Sequence, residues 1–331
     1  MDKKFFDNLT VSSSPHLVTA LDTQKTMLMV LIAICPAFIM SVVMFGIKAL
    51  ILSIVCVAAS AFFEWAYNKL MHKTQTVQDL SACVTGLILA MNLPSSFPIW
   101  MAIIGCFTAV IITKALFGGL GKNIANPAIV GRIVLLLSFT TEMTTWPVTN
   151  FQHVDGTTGA TALGVLGEIA KGNTEMALPT NMDLFLGNCG GSMGEVSAIA
   201  ILIGGLFLIW KKIISPIIPC AFIATVFVFA LIYYGVTGGM GDANAIQMAI
   251  FHVCAGGVMF GAFFCATDYV TSPIMDKGKL IFGIGCGAVT MIIRLWCSFP
   301  DGVSFAILFM NMLTPLIDRY TIDKFYGGAK K

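Results

Sequence analysis

The chain has 331 residues, 57% of them hydrophobic and only 11% Asp, Glu, Lys or Arg. A soluble domain carries roughly a quarter of its residues as charged groups, so the composition excludes a water-soluble enzyme and points to an all-α polytopic membrane protein. The formal net charge of +2 says little about partners; a lipid bilayer is expected and nucleic acid is not.

Residues 1–25 are polar, no Ala-x-Ala-type cleavage site follows the first apolar run, and the segment reads as a cytoplasmic N-terminus. Five apolar stretches follow at about 26–45, 49–68, 79–93, 98–116 and 123–139. After a long polar loop at 140–195, five more lie at about 196–210, 216–234, 246–266, 280–297 and 303–318, with a short tail at 319–331. A helix needs about 20 apolar residues to cross the hydrocarbon core, and 79–93 and 303–318 are short for that. Several stretches are interrupted by Gly or start at Pro. The expectation is about ten transmembrane helices, some of them broken, in a first group over 26–139 and a second over 196–318.

Charge sets the orientation. With ten crossings and an inner N-terminus, only Lys48 and Lys171 of the 19 Lys and Arg fall outside, while Arg132 and Arg294 lie within spans. Both termini are expected in the cytoplasm and the 140–195 loop on the outer side. Glu142, Asp155, Glu168, Glu175, Asp183 and Glu195 collect in that loop, which is too long for a plain connection.

The halves echo each other. The Gly, Cys and terminal basic residue of the run Gly105 to Lys114 recur at constant offset in the run Gly285 to Arg294, and Ala90-Met91-Asn92 parallels Ala266-Thr267-Asp268. Five spans per half forces opposite orientations, giving an inverted repeat whose broken helices meet near the midplane.

Within the loop, Asp155-Gly156-Thr157-Thr158-Gly159-Ala160-Thr161-Ala162-Leu163 is a run of small, turn-forming residues that leaves the Thr161 hydroxyl approachable. A glycine-rich turn with an ordinary helix-starting threonine would use the same residues. The run also resembles the acceptor motif of covalent flavinylation, in which a Mg-dependent flavin transferase joins FMN to the last threonine through a phosphodiester. A helix starting at Ala162 would favour the phosphate with its free N–H groups.

Other polar residues carry two readings each. Asn123 and Asn126 either cap a broken helix or touch a flavin ring. Arg132 sits mid-span and needs a partner: a buried anion such as a flavin phosphate, a ring carbonyl, or backbone carbonyls. Arg294 is near a span end and is expected to snorkel. Asp268, at a break, suits an ion, a proton or a flavin N–H, or caps a helix end. Glu64 is expected to be solvated, and Lys114 and Lys122 to be cytoplasmic-side charges. The ten cysteines lie singly, only Cys189 in a polar loop, without any C-x-x-C spacing. They read as small buried hydrophobes, with a cluster assembled across helices left open; no metal site is expected.

The motifs together resemble one family along essentially the whole chain: the D subunit of Rnf-type ion-translocating ferredoxin:NAD oxidoreductases, related to the B subunit of the sodium-translocating NADH:quinone reductase. The resemblance rests on Ser12-Ser13-Ser14-Pro15-His16, the run Gly118 to Ala128, the Thr161 motif with Thr158 where many members hold Ser, Gly190-Gly191-Ser192-Met193-Gly194-Glu195, Ala266 to Pro273, and Asn311-Met312-Leu313-Thr314-Pro315. It implies a urea-transporter-like fold, FMN on Thr161 and, in some members, a second, non-covalent flavin such as riboflavin. Asp155, Gly156, Thr158, Gly159, Ala160, Leu163, Asn123, Asn126, Arg132 and Asp268 complete the candidate cofactor-binding set.

The resemblance further implies a redox subunit without catalytic residues of its own, relaying electrons between ferredoxin and NAD with Na+ or H+ translocation. It would sit in a bacterial or archaeal cytoplasmic (inner) membrane. Its partners would include an FMN-bearing G subunit, iron-sulfur subunits and the flavin transferase that matures it. The short N-terminal segment sides with the Rnf subunit over the longer quinone reductase subunit. A flavin-free channel and a purely structural anchor are the competing readings; the latter expects Thr161→Ala to leave electron transfer intact.

Overall fold

The computed structural model describes residues 22–147, 149, 158–159, 161–170, 178–187, 189–195, 197–237, 244–297 and 301–322. Among these, regular structure is helical except for one antiparallel ladder of β1 (Trp146–Pro147) and β2 (Thr158–Gly159).

The first helix, α1 (Thr23–Phe45), starts where the Asp22 carboxylate accepts the Thr23 N–H at 2.8 Å. Its 23 residues give about 34 Å of length, enough to cross the hydrocarbon core. Gly46, at φ 75°, ends α1 and turns the chain straight into α2 (Ile47–Leu70). Along α2, Ala49, Ser53, Cys56, Ser60, Glu64 and Asn68 recur every three or four residues and are buried, whereas Ile51, Ile54 and Phe62 are exposed. That stripe of mostly small residues receives α3 (Ser81–Met91). A Cβ on Gly86 would stand 2.7 Å from Cys56 O, so glycine is what permits this close approach of two backbones.

Next come α4 (Ile99–Ala115), whose second half from Thr108 is π-helical, and α5 (Pro127–Ser138). Asn126 caps α5, its Oδ1 accepting the Ala128 N–H at 3.0 Å, with Pro127 at the first helical position. The loop contributes α6 (Thr140–Thr144), α7 (Ala162–Ala170) and α8 (Asn181–Leu186). The glycine-rich turn at 190–195 then folds back on the end of α3. Met193 donates its N–H to Leu93 O at 3.1 Å and Gly194 to Met91 O at 2.5 Å.

The second group comprises α9 (Ala198–Trp210), α10 (Ile217–Thr237), α11 (Ala245–Cys254), α12 (Val258–Cys265, π-helical from Gly261), α13 (Asp276–Trp296) and α14 (Val303–Thr321). Helices therefore occupy all ten expected stretches. Among the described residues α1, α2, α10 and α13 are long and apolar enough to cross a membrane, and α11 with α12 forms a fifth candidate bent by 59°. By contrast α3, α4, α5 and α9 have only 10–17 residues.

Packing in the second half follows that in the first. The α2 contacts with α3 and α4 are matched by those of α10 with α11 and α13; α4 lies on α5 as α13 lies on α14, and α1 packs on α9. Gly105 in α4 makes room for Leu135 of α5, and Gly285 in α13 makes room for Met310 of α14. These two glycines are the ones paired by the sequence offset.

One expectation is corrected. Glu64 is not solvated and Lys114 is not a free surface charge: they pair at 3.0 Å, with side chains 7% and 4% exposed. Lys114 also donates to Ser81 Oγ at 2.7 Å, and Glu64 Oε1 accepts from Thr76 Oγ1 at 2.8 Å. Lys114 belongs to the π-helical part of α4, where the wider turn shifts side chains around the helix axis relative to an α-helical count.

Candidate functional site

Thr161 sits immediately before α7 and caps it. Its Oγ1 accepts the Gly164 N–H at 3.0 Å and its carbonyl accepts the Val165 N–H at 2.8 Å. The helix starts at Ala162, as expected, and Thr161 is half-buried. It lines a cleft shared with Trp146, Leu163, Cys189, Glu195 and Asp301. Leu163 is buried and fills the space where Gly256 lacks a side chain. Gly159 pairs with Trp146, and Thr158 with Pro147, in the small ladder. Asp155, Gly156 and Ala160 lie outside the described residues. Burial, reinforced by Asp183, pushes the Cys189 thiol up to about 12.

Behind the cleft lies a charged cluster that the sequence reading only half found. Arg132 is 5% exposed. Its Nη2 is 2.5 Å from Asp301 Oδ2 and 3.9 Å from Glu195 Oε1, and its Nη1 donates to Asn92 Oδ1 at 3.0 Å. Among the described residues the buried partners it reaches are thus carboxylates and an amide. Arg294 takes the role of carbonyl ligand. It does not snorkel: Nη1 donates to His252 O at 2.6 Å, and Nη2 to Ala255 O at 2.9 Å and Gly256 O at 3.2 Å. The break between α11 and α12 frees those carbonyls from helical bonding, and a guanidinium satisfies several at once.

Asn123, Asn126 and Asp268 come together elsewhere, in the lining of a cavity that also includes Ser81, Lys114 and Tyr269. Asn126 does more than cap α5: its Nδ2 donates to Cys265 O at 3.0 Å, tying the first half to the end of α12. Asn311 reinforces that junction when its amide is turned so that Oδ1 accepts the Asn126 N–H at 3.1 Å and Nδ2 faces Thr271 O at 3.3 Å. Asn123 Nδ2 donates to Ala125 O at 3.2 Å. Asp268 closes its own turn, accepting from Thr271 Oγ1 at 3.2 Å and Val270 N–H at 3.5 Å. The candidate residues therefore divide into two places: Thr161, Leu163 and the Arg132 cluster at one, the asparagines and Asp268 at the other. Six residues of α5 separate Asn126 from Arg132, about 9 Å along the axis.

Sequence reasoning missed Asp301, Asn92 as a ligand of Arg132, and the buried Glu64–Lys114 pair. A usable signal existed for Asp301. An acid placed just before the last helix is a natural counter-charge for an arginine stranded in a span.

Long apolar helices, helix breaks and buried charges at those breaks define a polytopic helical membrane protein. The model of the NQR2, RnfD, RnfE family matches residues 10–327, and the chain belongs to that family. It is 45% identical, over 98% of its length and 96% of the relative's, to the D subunit of the Na(+)-translocating ferredoxin:NAD(+) oxidoreductase complex of Acetobacterium woodii. It is 43% identical to the D subunit of the proton-translocating ferredoxin:NAD(+) oxidoreductase complex of Clostridium ljungdahlii, over 97% of each chain. With the D subunit of the ion-translocating oxidoreductase complex of Actinobacillus succinogenes it shares 36% identity, over 96% of this chain and 97% of that one.

Proposed function

We propose that this protein is a membrane subunit of an Rnf-type, ion-translocating ferredoxin:NAD oxidoreductase complex and carries FMN esterified through its phosphate to Thr161. The observation that carries the cofactor reading is the partly buried Thr161 side chain, lining a cleft at the start of a nine-residue helix. One feature supports the fit. The first-turn N–H groups of α7 favour a phosphate ester at that oxygen. FMN, when bound, supplies one- and two-electron redox chemistry. The chain's own part is to hold the phosphate at Thr161, to wall the cleft with Trp146 and Leu163, and to keep the Asp301 carboxylate paired with Arg132.

The same reading takes the ten helices as ten crossings in two inverted repeats, with both termini on the cytoplasmic side of a bacterial or archaeal inner membrane and the Thr161 loop outside. The matched packing around Gly105 and Gly285 supports the repeat. Lys69 over Trp65, Lys73 over Tyr67 and Lys211 over Trp210 support one positively charged, aromatic interface. The asparagine cavity, with its amides, suits a second, non-covalent flavin such as riboflavin. Partners in this reading are an FMN-bearing G subunit, iron-sulfur subunits and the flavin transferase. The ion stays open between Na+ and H+, since two relatives of nearly equal similarity are named for different ions.

In-gel flavin fluorescence tests the proposal, using protein from a host that co-expresses a flavin transferase. Wild type is expected to fluoresce after denaturation and Thr161→Ala to be dark. Equal signal from both, or from neither despite an active transferase, contradicts it. Co-purifying subunits separate the Rnf assignment from a quinone reductase.

A further inference from the structure

We propose that Glu195 is a proton-binding group in the wall of the Thr161 cleft, its carboxyl holding a proton beside the Arg132-paired carboxylate of Asp301. Both residues line the cleft. The Glu195 side chain is only 10% exposed and that of Asp301 17%. Among the described residues, Oε1 of Glu195 and Oδ1 of Asp301 are buried without a hydrogen-bond partner. Arg132 meets Asp301 at 2.5 Å but reaches Glu195 only to 3.9 Å, beyond hydrogen-bonding distance. A desolvated carboxylate oxygen without a donor is costly. Protonation removes the charge and turns the oxygen into a donor.

The surroundings select a proton over a metal cation. The Arg132 guanidinium already supplies a positive charge beside both carboxylates, 2.5 Å from Asp301 and 3.9 Å from Glu195. Among the described residues no three His, Cys, Asp or Glu side chains converge to hold a metal. The charged groups facing the pair are Arg132 from α5 and Arg294 from α13, and Arg294 is committed to the carbonyls of the α11–α12 break. That break itself presents Gly257, and the turn at 192 contributes the Ser192 N–H, 3.3 Å from Glu195 Oε2. Burial first, then Asp301, push the Glu195 carboxyl above the ordinary carboxylate range, while Arg132 and the Gly257 and Ser192 N–H groups oppose them only in part. The site gives the cleft a group that takes up or releases a proton as charge nearby changes, whether or not Thr161 carries a cofactor.

Infrared spectra of the purified complex in H2O and D2O test the site. At neutral pH the wild type is expected to show a carboxylic-acid C=O band that Glu195→Gln lacks. Asp301→Asn, which keeps Glu195, is expected to shift that band. Thermal unfolding against pH gives a second reading. The unfolded chain releases a Glu proton near about pH 4.3 while the folded site keeps it to higher pH. Stability gained from this proton is therefore lost as pH rises through that window, and Glu195→Gln is expected to abolish the loss. A band unchanged in Glu195→Gln, or unmoved in Asp301→Asn, overturns the proposal. So does a wild-type band that disappears when NaCl is added at fixed pH, which would make this a sodium site.

Discussion

Arg132 in α5 and Asp301 at the head of α14 meet at 2.5 Å, a charged bond that joins the first half of the protein to its last helix. The same guanidinium holds Asn92 at the end of α3, so three elements distant in sequence depend on one side chain. Replacing it by Met leaves the Asp301 charge uncompensated. Breaking one side of a buried pair costs about 3–5 kcal/mol, and a loss of that order is expected for Arg132→Met in denaturant unfolding of the purified protein. The double variant Arg132→Met with Asp301→Asn is expected to recover part of it.

The Glu64–Lys114 pair offers a cleaner separation of charge from packing. Both side chains are buried and 3.0 Å apart. Lys114→Met alone and Glu64→Gln alone should each destabilise strongly. Together they should cost less than the sum, with a coupling of about 1–3 kcal/mol in a double-mutant cycle. Strict additivity would show that the pair does not act as a unit.

The helices and their order were legible because apolar length is written directly in composition, and the α7 start was legible because a small-residue turn precedes Ala162. Charge placement was not. Glu64 and Lys114 look like interfacial charges until the π-helical segment of α4 turns Lys114 inward. Arg294 looks free to reach water until the break after Cys254 offers it three carbonyls. Both depend on helix irregularities that residue counting assumes away. Arg132 was recognisable as needing a partner, but Asp301 lies 169 positions later and only the fold brings them together.

Gly194 lies where a side chain has no room. A Cβ there would stand 2.8 Å from Met91 O, a backbone atom that cannot move alone. Gly194→Ala is expected to destabilise by about 1–3 kcal/mol and to loosen the 190–195 turn. Faster proteolysis or faster labelling of Cys189 next to that turn would register the loosening.

Cys189 gives a pH test. With burial and Asp183 holding its thiol near about 12, it stays protonated through the physiological range. Since the thiolate is the reactive form, its population at pH 8 should be about a thousandfold below that of a free cysteine. Alkylation of the Cys189 peptide, followed by mass spectrometry, should be correspondingly slow in folded protein and should rise about tenfold per pH unit up to pH 10. A plateau below pH 9 would contradict the buried, acid-adjacent setting.

Whether Thr161 is a modified residue can be read at the atom concerned, by peptide mass spectrometry of wild type, Thr161→Ser and Thr161→Ala, each made with a flavin transferase present. The expected result is a Thr161-containing peptide heavier by FMN less one water, the same addition at reduced occupancy on Thr161→Ser, and none on Thr161→Ala. An unmodified Thr161 peptide beside a transferase shown to be active on another substrate would contradict a flavin-bearing role for this chain.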